Sequence, residues 1–161
     1  MTITFSGSEL INIAIGIEQR GIAFYDIMAK STENTGVRDI FQYLTDMERT
    51  HIDIFEDMLG EPDKYHIPET YTEEYSAYLQ ALVDNAVFTD DAIISEMATR
   101  VNSDIEALEL AISAEKDSVL FYNGMRDIMH RRVQPTVNKI ITEEKSHLRQ
   151  LSSLKKNLAD T

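Results

Sequence analysis

Cysteine is missing from this chain altogether, and its absence removes disulfides, zinc–thiolate sites, iron–sulfur clusters and thiol catalysis in one step. Glycine and proline are scarce, six and three in 161 residues. The apolar residues recur at helical spacing, so an all-α domain is the natural expectation. No apolar run approaches the ~20 residues that span a bilayer. Met1 to Leu10 lack the basic start and apolar centre of a signal peptide, which leaves a cytoplasmic protein with no membrane partner as the expectation. Basic residues are outnumbered, 15 against 28 acidic, for a net charge of −13. A surface of that sign repels phosphate backbones, arguing against nucleic acid, and attracts cations. The length suits one domain, residues 1–161, with room for a real core.

Four long helical segments are expected. The first runs from about Ser8 to Ala29, opened by Ser6 or Ser8 and closed by the polar stretch from Ser31 to Gly36. The second covers about Val37 to Leu59 and stops at Gly60, with Pro62 just beyond. The third spans about Ser103 to His130. The fourth follows Pro135, which suits a first helical turn, and reaches about Leu158. Short links within each pair imply antiparallel hairpins. The roughly forty residues between the second and third segments hold a Pro/Tyr-rich loop, Glu61 to Tyr71, and two shorter helices near Thr72–Val83 and Thr89–Arg100. A crossover of that length lets the second and third long helices run parallel.

The chain also repeats itself. A shift of 97 residues places Glu18 on Glu115, Phe24 on Phe121, Tyr25 on Tyr122 and Met28 on Met125. A shift of 96 places Glu48 on Glu144 and His51 on His147. Two helical hairpins related by a pseudo-two-fold axis follow, since the period is too long and too few for a solenoid.

Four glutamates stand where carboxylates should not. At helical spacing Glu18 is surrounded by Ile11, Ala14, Ile15, Ile22 and Tyr25, and Glu115 by Leu108, Ala111, Ile112, Val119 and Tyr122. Glu48 lies among Phe41, Leu44, Ile52 and Phe55, and Glu144 among Val137, Ile140, Ile141 and Leu151. Burying an ionised carboxylate without a partner costs roughly several kcal/mol. The nearby bases Arg20, Arg49, Lys116 and Lys145 fall one or two positions off these faces. Two divalent cations would balance four carboxylates.

Histidines complete the pattern. His51 follows Glu48, and His147 follows Glu144, by three residues, so each Glu-x-x-His pair shares one helix face and can grip a metal. One such match is weak. Two in register, within a repeat that adds two more core-facing glutamates, are specific. The candidate metal ligands are therefore Glu18, Glu48, His51, Glu115, Glu144 and His147. Oxygen plus imidazole donors suit iron, manganese, cobalt or zinc. His66 and His130 also follow an acid by three residues but have no repeat partner, and read as structural. Tyr25 and Tyr122, two turns after Glu18 and Glu115, are placed either to hydrogen-bond ligating carboxylates or simply to pack in the core.

With those residues in place, the sequence resembles the rubrerythrin branch of the ferritin-like superfamily. The resemblance rests on Glu18 in IGIEQRGIAFY, Glu48 and His51 in MERTHI, Glu115 in ISAEKDSVLFY, and Glu144 and His147 in EEKSHL. It implies a ferritin-like four-helix bundle holding two irons, with Glu18 and Glu115 as terminal ligands, Glu48 and Glu144 bridging, and a histidine on each iron. Tyr25 matches a position that contacts the ligands. Two departures stand out. Rubrerythrins proper carry a Cys-rich rubredoxin domain, so a reductant for this chain has to come from another protein. Many also carry an extra Glu three residues after the third-helix ligand, where this chain has Ser118.

The expected function is an oxidoreductase that reduces hydrogen peroxide or O2 with electrons from an external donor protein. The alternatives are a ferroxidase or iron-handling protein, and a non-catalytic metal-binding module. A homodimer is the expected assembly.

Overall fold

A computed structural model describes residues 5–61 and 73–161. Among them are six helices: α1 (Gly7–Ser31), α2 (Thr35–Leu59), α3 (Glu73–Asp84), α4 (Asp91–Arg100), α5 (Asp104–Ile128) and α6 (Gln134–Ala159). Helices of about 25 residues are about 37 Å long, and the four long ones form a bundle with α3 and α4 in the crossover. His66 and most of the loop expected from Glu61 to Tyr71 lie outside the described residues.

Local chemistry fixes the helix ends. Ser6 and Glu9 form a reciprocal capping box at the start of α1, satisfying two orphan donors at once. Asn34, Ser103 and Asp90 cap α2, α5 and α4 through their side chains. Asp90 is exposed yet has a local task, accepting the Ile93 N–H at 2.9 Å. Pro135 sits in the first turn of α6, where its missing N–H costs nothing. Thr32, in the tight α1–α2 turn, donates to Asp104 at 2.6 Å and ties the first hairpin to the start of the second.

Cross-helix contacts give the topology. Tyr25 meets Glu115 while Glu18 meets Tyr122, so α1 and α5 run antiparallel. Glu48 lies near His147 while His51 lies near Glu144, so α2 and α6 do too. Because α1 is also antiparallel to α2 across a short turn, α2 and α5 are parallel. That is the connectivity of ferritin-like bundles.

Two apolar clusters fill the bundle, one around Leu10, Phe55, Phe121 and Met125, the other around Phe24, Phe41, Leu108 and Leu151. The acidic residues lie in a layer between them. On the flank, α3 packs against α5 at Gly124, where an added Cβ would come within 2.6 Å of Leu79 Cδ2. Tyr75 donates to the Gly124 carbonyl at 2.7 Å. Leu79 is fully buried. Gly124→Ala is therefore expected to lower stability by about 1–3 kcal/mol from overpacking, partly offset by the ~1 kcal/mol helical advantage of Ala. A urea midpoint at or above wild type would show that the α3–α5 contact is looser than this.

Candidate metal centre

Each long helix delivers one glutamate to the middle layer: Glu18 from α1, Glu48 from α2, Glu115 from α5 and Glu144 from α6. His51 and His147 join them one turn further along α2 and α6. All six side chains are at most 3% exposed, among the least accessible polar groups of the protein. Helical periodicity puts them on the core-facing stripe, with the two apolar clusters on either side of the layer.

The donor atoms fall into two sets. Oxygen and nitrogen atoms of Glu18, Glu48, His51 and Glu144 lie within 4.8 Å of one another, as do those of Glu48, Glu115, Glu144 and His147. Glu48 and Glu144 belong to both, so the sets share an edge. Each histidine turns Nδ1 inward. His51 Nδ1 is 2.8 Å from Glu144, 3.0 Å from Glu48 and 3.5 Å from Glu18. His147 Nδ1 is 3.3 Å from Glu144, 3.5 Å from Glu48 and 3.7 Å from Glu115. The two rings lie near parallel at 5.9 Å.

A single ring proton cannot satisfy three carboxylates. Glu144 Oε1 is in range of His51 yet makes no hydrogen bond, and Glu115 Oε2 is also buried without a partner. No Lys or Arg among the described residues pairs with these four acids. Burial, followed by repulsion from Glu48, pushes the Glu18 carboxyl well up. Burial and then the charges of its neighbours likewise push up Glu144 and Glu48. Burial also acts to raise Glu115, but the adjoining Glu144 carboxyl, the charge of His147 and the hydrogen bond from Tyr25 outweigh it and hold this carboxyl low. Burial would lower both histidines. Hydrogen bonds to the carboxylates prevail instead, raising His51 and pushing His147 up to about 12. Converging lone pairs, orphaned oxygens and protons held against burial are what a carboxylate–imidazole metal site presents without its cations. The donors suit Fe, Mn, Co or Zn, two ions matching four carboxylates in charge.

Tyr25 and Tyr122 do more than pack. Each reaches across to the other hairpin: Tyr25 donates to Glu115 at 2.8 Å, and Tyr122 to Glu18 at 2.5 Å. Burial, then the neighbouring carboxylates, raises both phenols well above their ordinary value, so they stay protonated and remain donors. Sequence spacing placed each tyrosine near the Glu of its own helix; the contact is with the repeat-related one.

Glu143 was missed. Its Oε2 lies 2.8 Å from His51 Nε2, though its side chain is 27% exposed and it has no acidic partner in the repeat. The Glu143-Glu144 doublet was the available signal, but only Glu144 lies on the apolar stripe. His130 is exposed, its Nδ1 accepting the Arg132 N–H in the turn before α6. Ser118 is buried and donates to the Ala114 carbonyl. Arg20, expected to point away, lines a cavity with Glu18 without pairing to it. That cavity, about 30 Å³, lies between α1, α5 and the chain leaving α3. Ile17, Val83, Val87 and Ala114 wall it, and it reaches Glu18, Glu48, Tyr25 and Ser118.

Four helices that each bring a buried carboxylate to one level, two of them with a histidine one turn on, define a ferritin-like carboxylate bundle with a candidate dinuclear site. The chain belongs to the rubrerythrin family, whose model matches residues 9–155. A structure from Thermotoga maritima, provisionally described as a ferritin-like diiron-carboxylate protein, is 31% identical and superposes with a TM-score of 0.70, covering 94% of this chain and 95% of its own. No curated protein matches the chain. No helix among the described residues is long and apolar enough to cross a membrane.

Proposed function

We propose that the six buried residues bind two iron ions and that the protein reduces hydrogen peroxide or O2 with electrons from a separate donor protein. The observation that carries this reading is the small cavity against the donor atoms. A water needs roughly 10–15 Å³ of such space, so about 30 Å³ has room for a molecule the size of peroxide or O2. Its walls are mostly apolar, which favours a small uncharged reactant, and Arg20 and Asp117 complete the lining. The Thermotoga relative's description as a diiron-carboxylate protein supports iron over manganese or zinc.

Glu18, Glu48, His51 and Glu144 would hold one ion, and Glu48, Glu115, Glu144 and His147 the other. Glu48 and Glu144, common to both sets, would then serve both ions, and Glu18 and Glu115 one ion each. When bound, the metal pair supplies the two electrons that convert hydrogen peroxide to water. The chain's own task is positioning. Tyr25 and Tyr122 hold the outer oxygens of Glu115 and Glu18 by phenolic hydrogen bonds, limiting carboxylate rotation. The Ser118 hydroxyl, bonded to its own helix, leaves the cavity wall open where a longer acid would fill it.

Stopped-flow oxidation of the reduced, iron-loaded protein tests the reading. Fast oxidation by peroxide followed by re-reduction by a donor is the expected result; uptake of many irons per chain with O2 would replace it with an iron-storage reading. Ala114→Leu, which fills the cavity, is expected to slow peroxide oxidation by about 10-fold or more through loss of the near-attack position. Iron content should not change. An unaltered rate would mean that the oxidant approaches from elsewhere.

A further inference from the structure

The two halves of the candidate centre are related by the internal repeat, yet their outer surroundings differ. Both histidines commit Nδ1 to the carboxylate layer, leaving Nε2 as the outward donor. For His51 that N–H meets the Glu143 carboxylate at 2.8 Å. For His147 the equivalent atom is buried and has no hydrogen-bond partner among the described residues; Tyr43 stands T-shaped to the ring at 5.9 Å. The 96-residue shift that carries His147 onto His51 carries Glu143 onto Met47. Met47 is half-buried, as Glu143 is, but its thioether is only a weak acceptor. A carboxylate backs one imidazole and not the other.

We propose that Glu143 is a positioning residue that makes the two halves unequal, so that the half built on His51 takes its cation first and more tightly and the half built on His147 is the exchangeable one. The inference rests on the six residues being a dinuclear site. Its physical basis is that a carboxylate accepting the outer N–H fixes the ring's orientation and strengthens the inner nitrogen as a donor, and removing such a partner typically costs about 10- to 100-fold in metal affinity. His147 has no such partner among the described residues to hold its ring or to pair its buried N–H.

The test is anaerobic titration of the metal-free full chain with Co(II), followed by calorimetry and by the visible absorption of the bound ion. Wild type is expected to bind in two steps per chain, with dissociation constants about 10- to 100-fold apart. His51→Ala should remove the tight step and His147→Ala the weak one. Glu143→Gln should bring the tight step towards the weak one by a similar factor. Met47→Glu, which supplies the missing carboxylate, should tighten the weak step and leave the tight one in place; it decides the matter even if Glu143→Gln folds poorly. Two steps of equal affinity in wild type, or a Glu143→Gln protein with both steps unmoved, overturns the inference while leaving the dinuclear reading standing. Failure to bind cobalt at all overturns both.

Discussion

Glu144→Gln is expected to leave a folded helical bundle that no longer holds a pair of metal ions. Glu144 lies at the shared edge of both donor sets, so its loss removes a ligand from each. Metal analysis should fall from about two ions per chain to less than one, the result expected when a bridging carboxylate is removed. Glu48→Gln should behave in the same way. Glu18→Gln and Glu115→Gln each touch one set and should spare the other ion. A Glu144→Gln protein that binds two ions with wild-type affinity would falsify the shared-edge assignment.

The metal-free and metal-loaded proteins should also show opposite pH trends between about pH 5 and pH 8, where ordinary surface carboxylates are already ionised. Without metal, Glu18, Glu48 and Glu144 are raised above 4.5, and His51 and His147 above 6.5. The folded state then binds more protons than the unfolded chain, so the unfolding free energy falls as pH rises. Glu115, held low, acts the other way but is one group against five. With metal the sign reverses. Protons and cations compete for the same atoms, each ion releases protons on binding, and affinity climbs with pH. At ~1,000 times its dissociation constant one ion adds about 4 kcal/mol. Thermal melts at a series of pH values, with and without a chelator, should therefore converge towards acid and diverge towards base. Parallel curves would mean that these six groups do not bind the metal.

Much of this site is legible in the sequence because burial at helical spacing is a one-dimensional signal. Glu18, Glu48, Glu115 and Glu144 betray themselves by their apolar neighbours at three, four and seven residues, and the duplicated chain states the pattern twice. The parallel arrangement of α2 and α5 follows from the length of the crossover. What the sequence withholds is contact between elements. Tyr25 and Tyr122 sit in the expected register, but their bonds to the opposite hairpin depend on the α1–α5 separation, which no periodicity encodes. Glu143 is half-exposed, so it carries no burial signature. The cavity arises where residues leaving α3 meet α1 and α5, and its size is a property of packing. Asp90 looks like any surface acid until the start of α4 gives it a helix to cap.

The shared edge has a consequence for how the protein is made. Both donor sets need Glu144, and neither can be assembled from residues of one hairpin. A chain emerging from the ribosome therefore presents no complete site until the last helix has cleared the exit tunnel and docked. On the proposed assignment, a complete four-donor set exists only after the two hairpins have closed. Fragments that end before Glu144 keep only Glu18, Glu48 and His51 of the first set and should bind one ion far more weakly than the full chain. In the cell, metal loading would thus mark only chains that have reached their full fold.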